Sequence, residues 1–244
     1  MLTGTGEQQT KLIALVPIGQ VEESILAVIG EGLRGAFGRD YVIAAPLLHP
    51  GYAYDRRRGQ YLADNILARL NHLGLNAERW LGVTDLDLYT LGLNFVFGQA
   101  RIGGPAAVVA LPRLRQSFYG LPEDEALFHQ RAVKEAVHEL GHTYGLGHCR
   151  NSRCVMSFSN SLLDVDRKKR DFCFPCRRKL PYSAMGAVQQ VGVDHAPLRV
   201  ADADVALVPV TALAFPFGRA AIISPSVRRW TKVQREHGRF RIGS

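Results

Sequence analysis

No apolar stretch of this 244-residue chain approaches the ~20 residues that a membrane-spanning helix requires. The longest such runs, at 12–18, 106–111 and 205–210, fall far short. The first ten residues lack the basic segment and small-residue cleavage site of an export leader. These absences predict a soluble, cytoplasmic monomer with no membrane partner. There is no internal repeat and no low-complexity segment, and 47% hydrophobic with 21% charged residues is ordinary for a globular chain with an ample core. Cysteine is scarce: the four fall at 149, 154, 173 and 176. Two disulfides are one reading of them, and metal binding is the better one where no export signal takes the chain to an oxidising compartment. Acidic residues are outnumbered, giving a net charge of +8. Seven Lys or Arg against one Asp crowd residues 167–179. Such a run is either a solvated face or a surface for nucleic acid.

What is present alternates in an α/β manner. Short apolar segments at 12–17, 41–48, 77–83 and 106–111 read as buried strands. Helical spacing runs over 21–37, through Ile25, Val28, Ile29 and Leu33, and over 56–73, closed by Gly74. Strands alternating with helices predict a mostly parallel sheet with crossover helices. Residues 94–100 are aromatic and β-branched but interrupted by Gly98, and predict an edge strand, either open to an added peptide strand or covered by a loop. Pro122, Glu123, Asp124 and Glu125 open a further helix that Gly145 ends. Beyond Pro181 prolines recur and no helical period persists, so residues 1–181 are expected to form the main domain and 182–244 a poorly packed extension.

The helix ending at Gly145 carries the chemistry. His138 and His142 are four residues apart, so both imidazoles leave one helix face and can share a metal. Glu139 is turned about 100° from His138, beside such a metal rather than on it, where a carboxylate can take a proton from activated water. Two histidines leave a tetrahedral zinc wanting a third ligand. His148 can supply it only if the chain turns sharply, and Gly145 stands where a positive φ ends a helix. His129 falls on the opposite helix face, and His49, His72, His195 and His237 have no partner at ligand spacing.

The pattern His138-Glu139-x-x-His142-x-x-Gly145-x-x-His148 resembles that of the metzincins. Cys149, Cys154, Met156 and Phe172-Cys173-x-x-Cys176 narrow the resemblance to the archaemetzincins, over about 135–180 and more faintly back to Leu12. The resemblance implies an α/β (α+β) fold. Its upper subdomain would have a twisted mixed sheet and two crossover or active-site helices, above a small zinc-stapled lower subdomain. It implies a zinc metallopeptidase in which His138, His142 and His148 bind the catalytic zinc and Glu139 is base and acid. Met156 would be a hydrophobic floor below the metal, and Cys149, Cys154, Cys173 and Cys176 would hold a second, structural zinc, making two ions per chain. A zinc with four thiolates carries a charge of about −2. That makes charge compensation the preferred account of the basic run, with nucleic acid not expected as a partner. Some metzincins place a tyrosine just after this methionine. Here Ser157-Phe158-Ser159-Asn160 follows, and Tyr144 is expected to pack the helix end instead. The expected partner is a peptide substrate; the competing function is a zinc-stabilised nucleic-acid or protein binding module with a vestigial hydrolase site.

Overall fold

The computed structural model describes residues 12–181, so the extension expected at 182–244 lies outside the described residues. Its elements are β1 (Leu12–Ile18), α1 (Glu23–Phe37), β2 (Asp40–Ile43), β3 (Tyr54–Asp55), β4 (Gln60–Leu62), α2 (Ala63–Asn71), β5 (Arg79–Thr84), β6 (Leu88–Tyr89), β7 (Gly98–Ala100), β8 (Ala106–Ala110), α3 (Glu125–Thr143), α4 (Leu162–Arg167) and α5 (Phe174–Arg177). The main sheet has the order β2-β1-β5-β8-β7. Its first four strands are parallel, and β7 runs antiparallel to β8 at the edge. A small sheet, β3-β4-β6, stands beside it.

β1 reads as a continuous apolar run because both its faces are covered. Ile13 and Leu15 pack with α1 and α3, whereas Ala14, Val16 and Ile18 pack with α2. Parallel strands need such crossovers, and helices on both faces bury the sheet. α1 stops at Gly38, whose φ of +61° is left-handed and whose N–H caps the carbonyl of Arg34.

Three segments differ from their sequence expectation. Residues 56–73 are not one helix. The Asp55 carboxylate accepts from the Arg57 N–H at 2.9 Å, Gly59 takes a left-handed φ of +67°, and the chain returns as β4 before α2 begins. Tyr61 therefore lies on a strand, paired with Leu88. β2 is shorter than 41–48, although Ala44 and Leu47 still donate to the carbonyls of Leu15 and Pro17. α3 starts at Glu125 rather than Pro122, because the Asp124 side chain accepts from the Leu127 N–H at 2.9 Å and caps the helix there. The edge strand is confirmed in its position, but its regular part is only β7.

Candidate metal centre

α3 is buried at every residue from Arg131 to Thr143, although many of those residues are polar. Buried polar groups must be partnered, and α4 with the residue after it supplies the partners. Arg131 donates to both oxygens of Asp166 at 2.7 Å, and Lys134 Nζ donates to the carbonyls of Val165 and Asp166 at 3.1 and 3.2 Å. Glu135 meets Lys168 Nζ at 2.8 Å, and the Lys168 side chain is fully buried. These contacts clamp the segment after Met156 to the helix that carries His138 and His142.

The two helical histidines are oriented by main-chain carbonyls. Nδ1 of His138 lies 2.8 Å from the Val155 oxygen, and Nδ1 of His142 lies 2.7 Å from the Leu146 oxygen. Those oxygens only accept, so each Nδ1 carries the hydrogen and each Nε2 is left as a lone pair. The two Nε2 atoms nevertheless face one another at 3.1 Å. Two lone pairs at that distance repel unless a cation lies between them. Ligand arms of about 2.0–2.1 Å in a tetrahedron would put the donors about 3.3 Å apart. Burial lowers the pKa of both rings, well below the usual value for His138, and so favours the neutral, metal-ready form.

The third imidazole arrives by the turn that the sequence required. Gly145 has φ +87° and donates to the His142 carbonyl at 2.9 Å. His148 returns with its ring centroid 5.4 Å from that of His138 and 5.0 Å from that of His142, and one donor atom of each ring lies within 4.8 Å of the others. It is exposed on its outer side, against Phe158. Met156 is fully buried beneath the helix, where a Cβ on Gly141 would come 2.5 Å from its sulfur. Glycine at 141 is what lets the methionine lie under the histidines.

Glu139 is buried beside them, and burial, followed by repulsion from Glu135, pushes its carboxyl pKa well above the ordinary range, with Lys168 opposing. The edge strand meets it at Gly98: a Cβ there would fall 2.5 Å from Glu139 Cγ and 2.6 Å from the Val108 carbonyl oxygen. The apparent break in the strand pattern is thus the point of closest approach between strand and glutamate. A cleft of about 240 Å³ joins β7, the three histidines, Glu135, Glu139 and residues 158–160.

The four cysteines form a second cluster. Their sulfurs lie within 4.8 Å of one another, and Cys149 and Cys173 are 3.7 Å apart. That is far beyond a disulfide bond and close to the roughly 3.8 Å edge of a tetrahedron with 2.3 Å zinc–sulfur arms. N–H groups of Asn151 and Cys173 point at the sulfurs of Cys149 and Cys154. Burial pushes the thiols of Cys154 and Cys176 up, which a metal must reverse to hold them as thiolates. Charge compensation does not account for the whole basic run: Lys168 turns inward to Glu135, while Arg167, Lys169, Arg170, Arg177, Arg178 and Lys179 are exposed.

Of the remaining candidates, Tyr144 packs the helix end as expected, stacked on Phe37 at 5.0 Å with Arg79 over its ring. His129 pairs loosely with Glu125 at 3.7 Å, His49 bonds the Tyr61 hydroxyl, and His72 is exposed at the end of α2. His195 and His237 lie outside the described residues. Sequence reasoning missed Glu135, although its place four residues before Glu139 put it on the same face. Nothing in the sequence marked Lys168 out from the charges around it.

Comparison with known proteins agrees with this geometry. A profile of "Peptidase family M54" matches residues 49–182, more than half of the chain. The chain is 43% identical over 176 residues to an archaemetzincin of Pyrococcus furiosus, spanning 69% of this chain and 92% of the relative. It is similar to the crystal structure of the archaemetzincin of Methanopyrus kandleri, with a TM-score of 0.62, 41% identity, and coverage of 72% of this chain and 98% of that one. It is also similar to the crystal structure of a zinc-dependent peptidase of Methanocorpusculum labreanum, with a TM-score of 0.63, 30% identity, and coverage of 68% and 98%. On sequence and on structure alike, the chain belongs to peptidase family M54, the archaemetzincins, a family of zinc metallopeptidases.

Proposed function

We propose that this protein hydrolyses peptide bonds at a zinc ion held by His138, His142 and His148, with Glu139 as general base and then acid. The observation that carries the proposal is the pair of Nε2 atoms facing at 3.1 Å with both Nδ1 atoms committed to carbonyls. Zinc in such a site acidifies water and polarises the scissile carbonyl. Glu139 takes the proton of the attacking water and passes it to the leaving nitrogen. β7, at the sheet edge beside Glu139, gives an extended peptide a strand to pair with. Cys149, Cys154, Cys173 and Cys176 hold a second zinc that is structural, since four thiolates close its coordination. A binding module with a vestigial hydrolase site is not favoured, because the base is present and buried beside the histidines.

Cleavage of a peptide library by zinc-loaded protein tests the proposal, with Glu139→Ala as control. The variant should keep its zinc and lose turnover by at least a factor of about 100. A variant that cuts as fast as the wild type would remove Glu139 from the reaction.

A further inference from the structure

The cleft extends past the histidines to Glu135, one helical turn before Glu139. Glu135 is 2% exposed, and its countercharge is Lys168, whose side chain has no exposed surface at all. The pair is therefore asymmetric: Glu135 lines the cleft and Lys168 does not. Phe158, Ser159 and Asn160 line the same cleft. The Ser159 hydroxyl is buried and has no hydrogen-bond partner among the described residues. The reaction assigned above employs none of Glu135, Lys168 and Ser159.

We propose that Glu135, backed by Lys168, and Ser159 form the polar end of a side-chain pocket that selects peptides carrying lysine or arginine beside the scissile bond. The inference rests on the peptidase reading above. An ionised carboxylate accepts at about four lone-pair positions, so Glu135 keeps capacity for further donors once Lys168 is bound. The buried, unpaired Ser159 oxygen is a second acceptor among the residues lining the same cleft. Lysine and arginine bring a donor head on a long apolar stem, and the stem can run along Leu93 and Phe158, which line the same cleft and are part exposed. An acidic side chain would add a third carboxylate beside Glu135 and Glu139. An apolar one would leave both acceptors without a donor after water is expelled.

The test gives zinc-loaded protein a peptide library varied on both sides of the cut bond, beside the variant Glu135→Gln/Lys168→Met. That double change removes both charges without stranding a buried lysine. The wild type should favour lysine or arginine over glutamate at one position by at least about tenfold in kcat/KM, and the double variant should lose that preference while still binding zinc. Ser159→Ala, a smaller change, should weaken the preference in the same direction. Calorimetric titration of the inactive Glu139→Ala protein with lysine- and glutamate-bearing peptides should give the same order in Kd. A wild type that cuts without this preference, or a double variant that retains it, overturns the pocket and leaves the peptidase reading standing. A wild type that cuts no peptide overturns the peptidase reading; unequal binding by the Glu139→Ala protein would then uphold the pocket as a peptide-binding feature, and equal binding would overturn it too.

Discussion

Lys168→Met keeps most of the side-chain length and deletes one charge, and its cost follows from the burial of the pair. Lys168 and Glu135 lie 2.8 Å apart with side-chain exposures of 0% and 3%. The variant leaves a nearly buried carboxylate with its cation gone. Breaking a buried pair from one side typically costs about 3–5 kcal/mol. Glu135 borders the cleft, so some water reaches it, and the low end, about 3 kcal/mol, is the expected figure. At about 2–4 °C per kcal/mol for a domain of this size, the melting temperature should fall by roughly 6–12 °C. Adding Glu135→Gln should recover most of that loss, because removing both partners costs far less than removing one. Thermal and urea unfolding of the zinc-loaded proteins measure both quantities. The reasoning is refuted if Lys168→Met costs less than about 1 kcal/mol, or if the double variant is as unstable as the sum of the singles.

Three other outcomes are expected. Gly141→Ala places a methyl 2.5 Å from the Met156 sulfur, and should destabilise by about 1–3 kcal/mol and weaken zinc retention, read by melting and metal analysis. Gly98→Ala meets the fixed Val108 carbonyl as well as Glu139, and should lower kcat by more than its effect on stability explains. Cys173→Ser should release one zinc, lower the melting temperature and reduce peptide cleavage though no histidine is altered; unchanged melting and activity would detach the cysteine cluster from the histidine site.

The site was legible in the sequence to the extent that its geometry is local. Four-residue spacing fixes the directions of His138 and His142 whatever surrounds them, and Gly145 had to turn the chain for His148 to return. The cysteine cluster was legible for the same reason, since its pairs are close in sequence. Over 56–73, apolar residues at helical spacing concealed a hairpin. Asp55 and Gly59 were the punctuation that marked it, and a side chain binding its own backbone outweighed periodicity there. Gly98 looked like a defect because its cause, Glu139, lies forty-one residues away. Lys168 was unreadable: a charge run looks the same whether one member points inward or none does, and only the docking of α4 on α3 decides it.

One peptide unit joins His148 to Cys149, and the Cys149 N–H is tied to the Met156 carbonyl at 2.8 Å. The same few backbone torsions thus belong to both donor clusters. Freezing them for one metal removes part of the ordering entropy that the other would otherwise have to overcome, so loading is expected to be cooperative. Such coupling is reciprocal by thermodynamic necessity: the factor by which an ion among the cysteines tightens the histidine site equals the factor by which an ion among the histidines tightens the cysteine site.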